Sequence, residues 1–318
     1  MPDVPYHPQV QPVIDMINAG SAEAAEPAND AERVVGARAG YVGWLSMNGP
    51  GPEISDVTDI SIPGEDGLIA ARAYRPTTAN DAPIVVFFHG GGMVVGSMDA
   101  FDGVCRSIAD ASGAVVVNVE YRLAPEHVYP AQIHDAWDAL RWVADHAQEL
   151  GGNPQRLIVC GDSAGGNLAA LCALLARDAG GPPLALQMLI YPVTDWAGTF
   201  PSMESNGTDN FLTKETMQWF RSEYLGDDDE GRKRWTDPDI SPWYAENLAG
   251  VCPAWVLTTS HDPLRDEGAA YAARLGEAGV ATTHVEVDGI FHAFFGHTNL
   301  FELAVTALND AAEAIKAV

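Results

Sequence analysis

Apolar positions fall into three patterns along the chain, and each predicts a different kind of element. Between Ile54 and Arg75, two short β-rich stretches, Val57 to Ile62 and Leu68 to Tyr74, are separated by Pro63, Gly64 and Gly67. That spacing predicts an antiparallel hairpin pair. From Ile84 onward the pattern becomes continuous: Ile84 to Phe88, Ala114 to Val119, Leu157 to Cys160, Leu184 to Ile190 and Ala254 to Thr259 are unbroken apolar runs. Such runs predict strands buried on both faces of a sheet. Helical spacing fills the gaps, as at Ala131 to Leu150, where Ile133, Trp137, Leu140 and Val143 share one face before Gly151 and Gly152. Asn167 to Ala179, Glu267 to Ala278 and Leu303 to Val318 read as further helices, and Thr282 to Val287 as a last strand. Strands alternating with helices of this length imply right-handed crossovers and a mostly parallel α/β sheet.

Two segments break the alternation. Residues 1 to 51 carry Val13, Ile14, Ile17, Val34, Val35, Tyr41, Trp44 and Leu45 on helix-like spacing without a strand. Residues 195 to 245 hold Phe211, Met217, Trp219, Phe220, Tyr224 and Leu225. An isolated aromatic helix leaves its apolar face wet, so both segments are expected to form one helical cap. The main domain then comprises 52–194 and 246–318. The charged runs Asp227 to Glu230 and Arg232 to Arg234 are expected to form a solvated turn.

Composition narrows the class of partner. With 44 acidic against 17 basic residues the formal charge is −27, which repels nucleic acid and anionic membranes. The longest apolar run, Leu168 to Ala176, is far shorter than the ~18 residues of a membrane span, and the first residues lack a basic stretch followed by an apolar one. The expectation is a soluble cytoplasmic protein. Cys105, Cys160, Cys172 and Cys252 show no paired spacing and are expected to be buried free thiols.

The candidate chemistry sits at strand ends. After Leu157 to Cys160 comes Gly161-Asp162-Ser163-Ala164-Gly165-Gly166, a G-x-S-x-G sequence at a strand-to-helix turn. Such a turn projects Ser163 above the sheet, and flanking glycines are needed because a Cβ there collides with neighbouring backbone. The helix behind it turns its positive end toward developing negative charge. Directly after Ile84 to Phe88 comes His89-Gly90-Gly91-Gly92, whose backbone N–H groups suit an oxyanion. The expected donors are Gly91, Gly92 and Ala164, with His89 organising the loop.

A serine nucleophile needs a histidine base and a carboxylate that orients it. After Ala254 to Thr259, Asp262 lies on the loop, while Asp266 is explained by a helix N-terminus. Among nine histidines, His284 alternates inside a strand and is set aside. His292 is favoured, following a strand and the turn Asp288-Gly289, with Phe291, Phe294 and Phe295 available to pack around it. His297 is the runner-up, expected at the surface. A metal set of His261, Asp262, His292 and His297 lacks helical ligand spacing and leaves the serine turn unexplained.

HGGG at His89 to Gly92, YRLAPEHVYPA at Tyr121 to Ala131, GDSAGGN at Gly161 to Asn167, DPLRDEG at Asp262 to Gly268 and FHAFF around His292 together resemble the hormone-sensitive-lipase-like branch of the α/β-hydrolases. The resemblance implies an α/β-hydrolase fold, the triad Ser163, Asp262 and His292, and no cofactor or metal. It also implies a cap made of the two irregular segments. Arg122, Glu126 and His127 are given a structural role beneath the serine turn, and Asp162 is left between bonding neighbouring loops and touching substrate.

The expected activity is hydrolysis of short- to medium-chain carboxylic esters, with Trp44, Phe211, Trp219 and Phe220 as pocket walls, each equally explicable as cap core. A lipase acting on longer chains and a non-catalytic binder of the same fold are the alternatives. The partner is then a small ester, and dimers are frequent among look-alikes. The excess negative charge generates one prediction of its own: KCl raises the unfolding temperature by screening self-repulsion, and a flat response from low to molar salt removes the idea of salt adaptation.

Overall fold

A computed structural model describes residues 4–23, 27–76 and 81–318. In chain order the elements are α1 (Gln11–Glu23), α2 (Asp30–Ser46), β1 (Asp56–Gly64), β2 (Gly67–Arg75), β3 (Ala82–Phe88), α3 (Asp102–Ser112), β4 (Val115–Glu120), α4 (Ala131–His146) and β5 (Gly152–Asp162). They continue with α5 (Ala164–Ala179), β6 (Leu186–Ile190), α6 (Ser202–Ser205), α7 (Lys214–Leu225), α8 (Asp229–Arg234), β7 (Ala254–His261), α9 (Arg265–Glu277), β8 (Thr282–Phe291) and α10 (Glu302–Lys316).

The strands form one eight-stranded sheet in the order β1-β2-β4-β3-β5-β6-β7-β8. β1 and β2 pair as the expected hairpin, β2 runs antiparallel to β4, and every pair from β4 to β8 is parallel. Period-two alternation divides the core into two layers. Ile84, Val86 and Phe88 of β3 pack with α4, α5 and α9, whereas Val85 and Phe87 pack with α3 and α10. Because helices cover both faces, the parallel strands can be apolar throughout.

The order reverses around β3. Its chain leaves by α3 to β4 on one side, then returns by α4 past β3 to β5 on the other. The carboxyl ends of β3 and β5 are therefore neighbours, with Phe88 in register with Gly161, and a crevice opens at this switch point. Both glycine-rich sequences emerge there.

Several expectations need adjustment. β8 does not stop at Val287: it continues to Phe291 through a shift in register against β7, and Gly289 takes a positive φ of 77° inside it. Asp288-Gly289 is thus a bulge rather than a terminating turn, and it brings the end of β8 one residue from His292. The long helix after Ala131 stops at His146, short of the two glycines. Residues 229 to 234 form α8, capped by the Asp228 carboxylate accepting the Gly231 N–H at 2.7 Å, rather than a bare turn. Val35, on the helix spacing of the first segment, points outward and is 68% exposed.

The two irregular segments are helical and touch each other. Arg33 lies over the Trp219 ring at 4.8 Å, Tyr6 Oη donates to Asn210 Oδ1 at 3.0 Å, and Trp44 packs on Phe211 at 4.9 Å. Residues 1–3 and 24–26 of the first segment lie outside the described residues. The second segment leaves the sheet from a fixed point, because buried Glu267 of α9 accepts the N–H groups of Thr194 and Asp195 at 2.7 and 3.1 Å. Arg122 bridges the hairpin and α4 through Asp66 and Asp135, and Glu126 pairs with Arg38 of α2 at 2.7 Å.

The turn between β5 and α5 presses hard on β3. A Cβ on Gly165 would lie 1.9 Å from the Phe88 carbonyl oxygen, and one on Gly161 2.2 Å from that of Gly165. Neither neighbour can yield without moving the strand. Gly165→Ala is therefore expected to cost about 3 kcal/mol of stability, measured as a lowered urea midpoint at unchanged slope. An unchanged midpoint contradicts this packing.

Candidate active site

Ser163 sits at the apex of the β5–α5 turn with φ 55° and ψ −118°, a conformation that side chains other than glycine rarely adopt. Its backbone is pinned from both sides: its N–H donates to Ile190 O at 2.8 Å, and its carbonyl accepts from Val193 at 3.1 Å. The strain is thus held by β6 and lifts the hydroxyl clear of the sheet. The N-terminus of α5 begins immediately behind it.

Asp262 and His292 arrive from the ends of β7 and β8. His292 Nε2 is 2.9 Å from Ser163 Oγ, and His292 Nδ1 is 2.6 Å from Asp262 Oδ2. A carboxylate can only accept, so Nδ1 carries the proton and Nε2 is left free to accept from the serine hydroxyl. The other carboxylate oxygen, Asp262 Oδ1, accepts the Leu264 N–H at 2.8 Å. All three side chains are buried, Asp262 completely, while Ser163 and His292 keep 6% and 4% exposure toward the cavity.

His89 and Asp162 shape the loop opposite. His89 Nδ1 donates to Gly90 O at 2.8 Å, its ring stacks on Tyr121 at 4.4 Å, and Tyr121 Oη donates to His89 O at 2.6 Å. Burial pulls the His89 imidazole down to about 4, so it stays neutral and organises the loop. Asp162 Oδ1 accepts the Gly90 N–H at 2.7 Å, which answers the question left open by the sequence in favour of bonding the neighbouring loop. Burial raises the Asp162 carboxyl to about 7, against smaller opposing effects of the Gly90 N–H and His292. Beyond Gly90, the N–H groups of Gly91, Gly92 and Ala164 donate to no other group among the described residues. Gly91 and Gly92, with φ of 121° and 60°, also line the cavity over Ser163.

That cavity, of about 220 Å³, is lined by all four expected wall residues, Trp44, Phe211, Trp219 and Phe220, together with Ala37, Gly40, Tyr41 and Thr216. Its walls carry no charged side chain apart from any charge on His292. The aromatic ring against His292 is Tyr191, at 4.6 Å, with Phe294 behind it, rather than the phenylalanines next to His292 in sequence. His297 is not at the surface. It is fully buried, lies tilted against Trp44 with ring centroids 4.0 Å apart, and is pushed down to about 3 by burial. No cluster of metal-ligating side chains occurs among the described residues.

Sequence reasoning missed the side chains that brace the acid. Asn206 Nδ2 donates to Ser260 O and Asp262 O, each at 3.0 Å, and Asn210 Nδ2 donates to His261 O at 2.9 Å. Tyr6 stacks on His261 at 3.8 Å, and the His7 N–H donates to Gly289 O at 2.8 Å. All four come from the irregular segments, where asparagine and tyrosine give no signal distinct from turn or core residues.

The chain matches, over residues 85–296, a family model described as the alpha/beta hydrolase fold. It is 42% identical over 270 residues to Esterase LipI of Mycobacterium tuberculosis, covering 84% of this chain and 83% of that one. It is 36% identical over 275 residues to an ethyl acetate hydrolase of Pseudomonas putida, covering 84% and 85%. Among solved structures it is similar to a hyperthermophilic esterase from the archaeon Pyrobaculum calidifontis, with a TM-score of 0.91 and 38% identity over 98% of each chain.

The raised Asp162 carboxyl makes stability depend on pH. The native state keeps its proton up to about pH 7, whereas an unfolded aspartate releases it near 4. Between those values the native state binds more protons, so this group's contribution falls as pH rises through the window. Asp162→Asn keeps an acceptor for Gly90 and removes the buried charge. It should match the parent's melting temperature near pH 4.5 and exceed it at pH 8. A variant less stable at pH 8 contradicts the assignment.

Proposed function

Given that the chain belongs to the hormone-sensitive-lipase-like esterases of the α/β-hydrolase superfamily and is a serine carboxylic ester hydrolase, we propose that Ser163, His292 and Asp262 are its catalytic triad. The observation that carries the assignment is the unbroken line from Ser163 Oγ to His292 Nε2 at 2.9 Å and from His292 Nδ1 to Asp262 Oδ2 at 2.6 Å. Ser163 attacks the ester carbonyl as His292 takes its proton, and Asp262 stabilises the imidazolium. The oxyanion is held by the N–H groups of Gly91, Gly92 and Ala164, each worth roughly 3 to 4 kcal/mol in comparable sites. Protonated His292 releases the alcohol, and a water that it then activates frees the acid from Ser163. The cycle uses side chains and backbone of this chain alone.

The substrates are uncharged esters of short to medium chain length. Support comes from the lining: aromatic and aliphatic walls offer no partner to a charged substituent. In this reading residues 1–51 and 195–245 form the cap, and 52–194 with 246–318 form the catalytic domain. Among the described residues no helix is long and apolar enough to cross a membrane. Four unpaired cysteines support a cytoplasmic location. The outer edge of β8, which pairs with no further strand among the described residues, favours a homodimer, which sedimentation distinguishes from a monomer.

Ser163→Ala is expected to lower kcat by about 10⁶. Near-normal turnover of p-nitrophenyl butyrate by pure Ser163→Ala contradicts the triad. A rate jump when the substrate passes its micelle threshold favours the lipase alternative.

A further inference from the structure

α2 closes one side of the cavity, and its two ends meet different parts of the site. Toward its C-terminal end, Trp44 Nε1 donates to Ala293 O at 3.3 Å, beside His292. Toward its N-terminal end, Arg33 lies over Trp219 of α7 at 4.8 Å. Ala37 and Gly40 lie between and face the cavity. The chemistry assigns these ends. His292 must protonate the departing alcohol, so the alcohol lies on the side of His292, Ala293 and Trp44. An acyl group extending the opposite way from Ser163 would pass Gly92 toward Phe220 and Trp219, with Ala37 and Gly40 on the same cavity lining.

Gly40 stands inside a 17-residue helix, where glycine costs about 1 kcal/mol relative to alanine. Nothing in the backbone asks for it: its φ is not positive, and a Cβ there would meet no atom within 4 Å. Gly40 lines the cavity and is itself exposed, so the open space beside it lies at the cavity's mouth. Gly36 and Gly43 of the same helix are equally uncrowded but do not line it, and so provide internal controls.

We infer that Gly40 determines the acyl range of the enzyme, leaving room for medium-length or branched acids while the alcohol is confined by Trp44 and Phe211. The inference rests on the ester-hydrolase reading and its triad. A side chain at Gly40 narrows the cavity's mouth along the acyl path without displacing the residues around Ser163. Long acyl groups then lose binding in the transition state, while acetate, which ends before Gly40, keeps it.

The test compares the parent, Gly40→Leu, Gly40→Ala and Gly36→Leu on p-nitrophenyl acetate, butyrate, hexanoate and octanoate, and on acetates of methanol, butanol and hexanol. Gly40→Leu should lower kcat/KM for octanoate about 10- to 100-fold relative to acetate, leave the alcohol series unchanged, and leave Gly36→Leu like the parent. Gly40→Ala should show a smaller shift in the same direction with an equal or higher melting temperature, which keeps the test valid if the leucine variant folds poorly. Identical acyl profiles for the Gly40 and Gly36 variants overturn the inference, as does a shift confined to the alcohol series. A parent that hydrolyses none of these esters overturns the underlying reading instead.

Discussion

The structure depends on one close approach, the contact of the β5–α5 turn with the end of β3. Gly161 and Gly165 allow backbone to lie where any Cβ would overlap a carbonyl or the neighbouring strand. That contact sets Ser163 at φ 55° and places it beside the His89–Gly92 loop, so the hydroxyl and the free N–H groups share one small volume. Hydrogen bonds to the Ile190 carbonyl and from the Val193 N–H hold the strained residue in place. Parallel order then delivers Asp262 and His292 to the same rim, because β7 and β8 end at the same edge of the sheet as β5.

Charge is managed differently inside and outside. The surface carries most of a net −27, whereas the site is kept near neutrality by burial. His89 and His297 are held uncharged by desolvation, and Asp162 keeps its proton to about pH 7. Asp262, completely buried, is fully partnered: its carboxyl group accepts from Leu264 and His292, and its backbone carbonyl accepts from Asn206. In so dry a place each hydrogen bond to a developing oxyanion is stronger than in water.

Much of this was legible in the sequence, for identifiable reasons. Strands buried on both faces leave continuous apolar runs, so β3 to β7 were readable within a few residues. The placing of Ser163 at a strand-to-helix turn beside the His89–Gly92 loop was readable because strand-turn-helix patterns are local. The end of β8 was not, since a bulge at Gly289 looks like a turn when its partner strand is unknown. His297 was expected outside because histidine is polar, yet Trp44, more than 250 residues earlier, covers it. Asn206 reaches Asp262, and Asn210 and Tyr6 reach the neighbouring His261, only through pairings across the fold, which spacing along the chain cannot express. The vacancy at Gly40 was equally hidden, because the sequence does not say which face of α2 meets the cavity.

The central claim is that Ser163 is activated by His292 and Asp262. Labelling with a fluorophosphonate probe, followed by peptide mass mapping, tests it most directly. The account predicts one adduct per chain, on the peptide containing Ser163, with the labelling rate falling as the medium is acidified and collapsing in His292→Ala. Labelling elsewhere, or at an unchanged rate without the imidazole, contradicts it.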